Sequence, residues 1–221
     1  MILITGGTGY IGSHTCIELL ANGDDLIVVD NFSNSSLESL NRVKTISGKA
    51  VTFIEGDIRD KALLRSIFKK YMIEAVVHFA GLKAIGESVK HPLKYYDNNV
   101  VGSISLFEVM AEFNCKVIVF SSTAAVYGDP ASLPITEDFP LSTTNPYGES
   151  KLMIENILRD IYKSHKDWSM GILRYFNPIG AHDSGLIGEN PKDIPNNLMP
   201  FVSQVAIGQS EKVNVFGDDY N

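Results

Sequence analysis

Thr5-Gly6-Gly7-Thr8-Gly9-Tyr10-Ile11-Gly12 follows the apolar run Ile2–Thr5, which reads as a short strand, and leads into a helical pattern. Gly6, Gly9 and Gly12 form the pattern G-x-x-G-x-x-G, which permits a tight turn, close approach of backbone to a pyrophosphate, and close packing of helix on strand. The free N–H groups at the start of the helix favour phosphate. A glycine-rich structural turn is the alternative, but a strand, this turn and a helix in succession favour dinucleotide binding.

Acidic and small residues follow the next predicted strands. Leu26–Asp30 ends in a carboxylate that can accept from both ribose hydroxyls and repel a 2′-phosphate, so NAD is favoured over NADP. Asp57 follows the third strand, where it could meet an adenine amino group or simply cap a helix. Phe79-Ala80-Gly81 ends the fourth strand with small residues that let backbone pass close to a cofactor. Open α/β sheets bind ligands at these strand ends.

The alternation of short β-rich runs with longer helical patterns predicts an α/β fold, a doubly wound parallel sheet of the Rossmann type. Most of the runs are continuously apolar, as in a sheet covered on both faces. The predicted strands are Ile2–Thr5, Leu26–Asp30, Val51–Glu55, Ala75–Phe79, Val117–Ser121, Met170–Arg174 and Val213–Phe216. The predicted helices are Ile11–Ala21, Ser36–Ile46, Lys61–Tyr71, Leu93–Phe113, Pro146–His165 and Ile194–Ile207.

Tyr147 and Lys151 stand four residues apart on the predicted helix Pro146–His165, so they share one face. An ammonium beside a phenol can lower the tyrosine pKa and produce a proton acceptor for an alcohol. The same spacing recurs at Tyr162 and Lys166. Only Lys151 falls within the apolar stripe of the helix, where a lysine is costly without a task or a partner. The alternative is that Lys151 merely covers the core with its aliphatic part. On the same helix, Glu155 is expected to point away from the apolar stripe.

A cluster of hydroxyls, Ser121-Ser122-Thr123, ends the fifth predicted strand on the same rim as the glycine turn. A hydroxyl in this position can hydrogen-bond a substrate alcohol and orient it toward a base. The alternative is an ordinary Ser/Thr cluster at the start of a loop.

Composition and charge disfavour several other functions. The formal net charge of −7 over 221 residues comes without a basic block, which disfavours nucleic acid as a partner. Cys16 and Cys115 lie far apart without metal-ligand spacing, and buried thiols in a reducing compartment are the simple interpretation, so no metal site is expected. No apolar run approaches membrane-spanning length, and Met1–Thr5 lacks the positive region of a signal peptide. We therefore expect a cytoplasmic protein without a membrane partner.

The glycine turn, Asp30, the Ser/Thr strand end and the pair Tyr147/Lys151, in this order, resemble the extended short-chain dehydrogenase/reductase family. The resemblance runs through the whole chain and is closest to the branch that epimerises UDP-hexoses at C4. The segments that carry it are Gly6 to His14, Asp30-Asn31, Gly56 to Arg59, His78 to Ala84, Tyr95 to Asn99, Val126 to Gly128, Arg174 to Pro178, and Ile194 to Pro200.

The resemblance implies an NAD-dependent isomerase of galactose metabolism that works through a transient 4-keto sugar. It implies that Tyr147 is the general base, that Lys151 holds the ribose and lowers the tyrosine pKa, and that Thr123 bridges to the sugar 4-hydroxyl. The implied NAD contacts, besides the glycine turn and the Tyr147/Lys151 pair, are Tyr10, Ile11, Asp30, Asn31, Asp57, Ile58, Phe79, Ala80, Gly81, Lys83, Asn98 and Phe176. The implied contacts of a UDP-sugar, besides Thr123 and Tyr147, are Asn177, Asn197, Leu198 and Phe216.

Two departures from related patterns refine this expectation. Nucleotide-sugar dehydratases place Asp-Glu after the threonine, whereas Ala124-Ala125 follow here and have no proton to exchange, which argues against dehydration. Family members also continue beyond a segment like 217–221. We therefore expect an NAD-binding domain over 1–176 and, over 177–221, the start of a smaller substrate-binding region that is truncated.

Two other functions are compatible with the same motifs. One is a nucleotide-sugar oxidoreductase that releases NADH, and the other is a non-catalytic NAD-binding fragment. The family resemblance also implies a homodimer, with Leu93–Phe113 and Pro146–His165 available as a four-helix contact.

Overall fold

Six parallel strands form the central sheet, in the order β3-β2-β1-β4-β5-β6. The structure is a computed structural model that describes residues 1–191, 195, 197–215 and 217–218. The order of the strands reverses between β1 and β4, and this reversal confirms the predicted doubly wound sheet and opens a crevice at the carboxyl ends of the strands. The strands are β1 Ile2–Thr5, β2 Leu26–Asp30, β3 Thr52–Glu55, β4 Ala75–His78, β5 Val117–Thr123 and β6 Ser169–Tyr175.

Helices connect successive strands and cover both faces of the sheet. A π-helical turn at Tyr96–Val101 lies between α5 and α6, and a 3₁₀ turn at Ala124–Tyr127 follows β5. None of the helices among the described residues is both long and apolar enough to cross a membrane. The α-helices are α1 Tyr10–Asn22, α2 Glu38–Ser47, α3 Lys61–Lys70, α4 Ile85–Lys90, α5 Pro92–Tyr95, α6 Gly102–Glu112, α7 Pro146–Ser164 and α8 Leu198–Ala206.

Three of the predicted elements differ from the structure. The single helix predicted over Leu93–Phe113 is interrupted by the π turn, and α4 was not predicted. Residues 213–215 of the predicted strand Val213–Phe216 are not in a strand, and Phe216 lies outside the described residues. A helix was predicted over Ile194–Ile207, and the structure has α8 over Leu198–Ala206, with Ile194 outside the described residues.

The core lies in two layers, one on each face of the sheet. Successive strand residues point to opposite faces, so Leu3 packs into one cluster with Leu106 and Ile154, while Ile4 packs into the other with Cys16. Burial on both faces explains why the strands are continuously apolar rather than alternating.

Glu155 departs from its expected position on the polar side of α7. Lys151 and Ile154 are buried as predicted, but the Glu155 side chain is buried as well. Its carboxylate accepts hydrogen bonds from Ser122 Oγ of β5, from Arg159 Nη2 at 2.6 Å and from Arg174 Nη2 of β6 at 2.8 Å. Burial alone would raise the pKa of Glu155, but these hydrogen bonds outweigh it and lower the pKa. Glu155 therefore fixes α7 against the two strands on which it packs.

Replacing Glu155 with alanine is expected to destabilise the fold by about 3–5 kcal/mol, because it leaves the largely buried guanidinium of Arg174 without its carboxylate. Asp160→Ala on the same helix removes an exposed pair with Lys163 and should change stability by less than about 1 kcal/mol. Urea unfolding of both variants measures the difference, and equal losses would contradict the anchoring role of Glu155.

Candidate active site

A groove of about 820 Å³ runs along the carboxyl ends of the strands. It brings together residues that are distant in sequence, from the turn after β1 to the segment after β6. Asp57 and Leu198 do not line it, and Phe216 lies outside the described residues. The predicted site residues that line the groove are Gly6, Gly9, Tyr10, Ile11, Gly12, Asp30, Asn31, Ile58, Phe79, Ala80, Gly81, Lys83, Asn98, Thr123, Tyr147, Lys151, Phe176, Asn177 and Asn197.

The glycine turn depends on close contacts between backbone segments. Gly6 has φ +71°, and a Cβ atom there would lie 2.6 Å from the backbone N of Ala80, in the turn after β4. A Cβ at Gly12 would lie 2.4 Å from the carbonyl O of Gly6, so α1 packs directly on the turn. A Cβ at Gly9 would meet no atom closer than 3.4 Å, so the side of Gly9 that faces the groove is open. Gly6 and Gly12 therefore shape the turn, whereas Gly9 leaves space in front of the helix N-terminus.

Asp30 is held at the end of β2 by several donors. Its Oδ2 accepts from the backbone N of Thr8 at 3.2 Å, and its Oδ1 accepts from the backbone N of Phe32 and Oγ of Ser35, both at 2.9 Å. The carboxylate is thus oriented at the rim of the groove, next to the glycine turn.

Asp57 does not line the groove but contacts Asn31, which does. Hydrogen bonds from Arg59 lower the pKa of Asp57 to about 2, with a smaller contribution from Asn31. The Asn31 Nδ2 donates to Asp57 Oδ2 at 3.0 Å, while Asn31 itself lines the groove. Asp57 therefore orients Asn31 in this structure.

Tyr147 and Thr123 meet at the rim of the groove. Burial raises the pKa of Tyr147, and a hydrogen bond with Thr123 offsets part of this rise. The Thr123 Oγ1 also accepts from the backbone N of Ala125 at 3.1 Å, so its single hydrogen is free to be donated to the tyrosine oxygen. The pKa of Tyr147 is therefore raised in this structure, and not lowered as expected from the sequence, because burial outweighs the contact with Thr123.

Lys151 lines the groove and is only 5% exposed. Its Nζ donates to the carbonyl O of Ser121 at 2.9 Å and lies 4.9 Å from the centre of the Phe120 ring. Burial lowers the pKa of Lys151 to about 8. In the second copy of the spacing, Lys166 is exposed and stacks on its own Tyr162, so only the first copy faces the groove.

His78 is a buried residue at the end of β4 to which the sequence patterns assigned no role. Burial, followed by the charge of Lys151, lowers the pKa of His78 to about 3, so the ring is neutral. Ser103 Oγ donates to the carbonyl O of Asn99, which leaves it to accept from His78 Nε2 at 2.9 Å. The Nδ1 of His78 then accepts from Thr5 Oγ1 at 2.6 Å. This directional chain joins β1, β4 and the helix after the π turn.

Asn99 is the second residue that sequence reasoning missed. Its side chain binds Leu82 on both sides, accepting from the backbone N at 2.8 Å and donating to the carbonyl O at 3.0 Å. It also donates to Ser150 Oγ of α7 at 3.0 Å. Asn98 and Asn99 both lie in the π turn, a feature frequent at functional sites, and the side chain of Asn98 lines the groove. The only feature of the sequence that could have indicated Asn99 is the pair of adjacent asparagines, Asn98-Asn99, in an otherwise helical pattern.

Metal ligation has no support in the described part of the chain, where no group of three or more His, Cys, Asp or Glu side chains could hold an ion.

The chain matches the NAD dependent epimerase/dehydratase family over residues 2–221. It is 61% identical to the UDP-glucose 4-epimerase of Bacillus subtilis (strain 168) over 219 residues, which cover 99% of this chain and 65% of that protein. It is 57% identical to the UDP-glucose 4-epimerase of Dictyostelium discoideum over 220 residues, which cover 100% of this chain and 64% of that protein.

A solved structure is similar over the same extent. It is the UDP-glucose 4-epimerase from Bifidobacterium longum in complex with NAD⁺ and UDP, which is 54% identical and superposes with a TM-score of 0.97. The match covers 100% of this chain and 66% of that chain. The chain spans about 65% of the length of the curated relatives it matches.

The buried Lys151 predicts a specific pH dependence of stability. Its pKa is about 8 in the folded chain and 10.5 in the reference state, so between these values the unfolded chain binds a proton that the folded chain has released. The free energy of unfolding that Lys151 contributes therefore rises with pH across this window, by about 3 kcal/mol in total. Relative to wild type, Lys151→Met should lose that much stability as the pH is raised from 7.5 to 10.5, the window set by the lowered pKa.

Urea unfolding at a series of pH values measures this difference, with Lys166→Met as the exposed control. A difference between Lys151→Met and wild type that does not change with pH would contradict the buried, pKa-shifted lysine.

Proposed function

Because the chain belongs to the NAD dependent epimerase/dehydratase family, we propose that its groove binds NAD and that the protein interconverts UDP-hexoses such as UDP-glucose and UDP-galactose at C4. The observation that carries this proposal is the meeting of Thr123 and Tyr147 at the rim of the groove, beside the buried Lys151. The Bacillus subtilis and Bifidobacterium longum relatives are UDP-glucose 4-epimerases, and the latter binds NAD⁺ and UDP.

The residues of the groove fit a dinucleotide. The open side of Gly9 leaves room for a pyrophosphate in front of the N-terminus of α1, and Asp30 is oriented to accept from ribose hydroxyls. We assign the cofactor contacts to the glycine turn, Asp30, Asn31, Ile58, the turn after β4, Lys83, Asn98 and Phe176, with Asp57 acting through Asn31. When bound, NAD supplies a hydride acceptor for the sugar C4 and a positive charge that favours phenolate at Tyr147.

Tyr147 is the group that takes the proton of the sugar 4-hydroxyl. Its burial opposes ionisation, so the base forms only when positive charge, such as that of bound NAD, enters the groove. Thr123 interacts with Tyr147 and lines the same groove, so it is placed to hold the same hydroxyl near the base. Inversion at C4 then requires the 4-keto sugar to present its other face before Tyr147 returns the proton.

We assign the UDP-sugar to the segment after β6. Asn177 and Asn197 line the same groove as Tyr147, whereas Leu198 does not line it. We propose 1–176 as the cofactor domain and assign 177–221 to a substrate-binding region. Ala124 and Ala125 supply no acid or base next to Thr123, which supports epimerisation over loss of water.

We further propose a homodimer and a cytoplasmic location. Ile85, Val89 and Leu93 leave exposed apolar side chains on α4 and α5, which pack on α7, and a second copy could cover them. Cys16 and Cys115 are buried free thiols, which suits a reducing compartment.

Tyr147→Phe should lower the rate of epimerisation by about 10²–10⁴-fold, because the phenol oxygen that accepts the proton is removed. Binding of NAD should persist. The matched control is Tyr162→Phe, which alters the exposed copy of the spacing and should keep wild-type activity. The protein is assayed with UDP-galactose, and substantial activity of Tyr147→Phe would remove Tyr147 from the role of base.

Epimerisation involves no net oxidation, so many turnovers should occur with NAD present only at the concentration of the protein. The product yield is measured together with absorbance at 340 nm. Accumulation of NADH in proportion to product would contradict epimerisation and would favour a net nucleotide-sugar oxidoreductase.

A further inference from the structure

Residues 178–191, here called the strap, follow β6, and Pro178 and residues 186–191 of the strap line the groove. Two polar contacts attach the strap to the opposite side. Tyr10 Oη donates to the carbonyl O of Gly180 at 2.8 Å, and Arg42 Nη1 donates to the carbonyl O of Leu186 at 2.8 Å. Tyr10 begins α1 and Arg42 belongs to α2, so the strap is attached across the dinucleotide end of the groove.

Glu189 makes the third attachment. Its Oε1 accepts from Lys83 Nζ at 3.0 Å and from Asn197 Nδ2 at 2.7 Å. The Glu189 side chain is only 11% exposed, whereas the Lys83 side chain is 48% exposed, so the pair is partly solvated from the lysine side. Lys83 lies in the loop after β4, and Asn197 lies immediately before α8. One side chain thus joins the strap to a residue that we assign to the cofactor and to another that we assign to the UDP-sugar.

Between these attachments the strap is also anchored by an apolar side chain. Ile187 is 6% exposed and packs into the core cluster that contains Leu40 and Val43 of α2. This burial fixes the register of the strap, so that Leu186 and Glu189 on either side of Ile187 meet their partners. The polar contacts, in contrast, are partly solvated and can break without unfolding the sheet.

We propose that the strap is a latch that must release before a dinucleotide can enter or leave the groove, and that Glu189 is the residue that fastens it. The inference rests on the proposed function, because a reaction without net oxidation reuses one cofactor through many turnovers and benefits from slow release. Glu189 is a positioning residue in this account, since it acts on the strap through Lys83 and Asn197.

A latch has a kinetic signature that a direct contact lacks. Opening precedes both entry and exit, so weakening the latch accelerates association and release together and changes the dissociation constant little. Removing a direct contact with the cofactor accelerates release alone. The two roles of Glu189 are therefore distinguished by measuring both rate constants.

The experiment uses a fluorescent analogue, 1,N⁶-etheno-NAD, mixed with the chain in a stopped-flow instrument and then chased with excess NAD. Glu189→Ala should raise both rate constants about tenfold, because a charge-assisted hydrogen-bond pair is lost. Glu189→Gln should have a smaller effect on both, since its amide oxygen still accepts from Lys83 and Asn197. Glu211→Gln, which removes an exposed charge outside the groove, should match wild type.

Arg42→Ala tests the latch independently, because it removes an attachment on α2 and keeps Glu189. It should raise both rate constants about threefold, as expected for a solvated hydrogen bond. Unchanged rate constants for both Glu189→Ala and Arg42→Ala would overturn the latch, as would faster release without faster association. A wild-type chain that fails to bind the analogue would instead contradict the proposed function.

Discussion

The close approach of two backbone turns, at Gly6 after β1 and Ala80 after β4, is the constraint on which the groove depends. A single additional carbon at Gly6 would lie 2.6 Å from the Ala80 nitrogen, closer than nonbonded atoms tolerate, and Gly6 also has a positive φ. The contact occurs where the strand order reverses, so it determines the floor of the crevice in which open α/β sheets bind ligands. Gly12 extends the constraint, because its own contact with the Gly6 carbonyl brings the N-terminus of α1 up to the same point.

A buried polar chain connects this floor to the reactive side of the site. It runs from Thr5 through His78 and Ser103 to Asn99, and from there to Ser150 on α7, between Tyr147 and Lys151 in sequence. Each buried donor and acceptor in this hydrogen-bonded network has a partner, which is the condition for burying polar groups at low cost. The position of the tyrosine therefore depends on the strand that precedes the glycine turn. On the opposite side of α7, Glu155 holds the same helix to β5 and β6.

The sequence predicts most of this arrangement because its signals are local. Alternating apolar runs and helical stripes predicted the parallel sheet, and the Tyr147/Lys151 spacing was separated from its second copy by the apolar stripe alone. The errors have nonlocal causes. A helical projection placed Glu155 on the polar side because it contains no information about Arg174, which lies on a later strand. The π turn adds one residue to a helical turn without a pattern that marks it, and so it hid the role of Asn99. The pKa of Tyr147 depends on burial, which spacing along a helix does not describe.

The affinity for NAD of two glycine-to-alanine variants tests the central claim most directly. Gly6 and Gly23 both have a positive φ, of +71° and +97°, so alanine strains the backbone at either position. Only at Gly6 does the new Cβ meet the Ala80 turn, whereas at Gly23, at the other end of α1, nothing lies within 4 Å. Calorimetric titration should show that Gly23→Ala binds NAD as wild type does and that Gly6→Ala has lost binding. Equal affinities of the two folded variants would contradict the claim that this backbone contact forms the dinucleotide site.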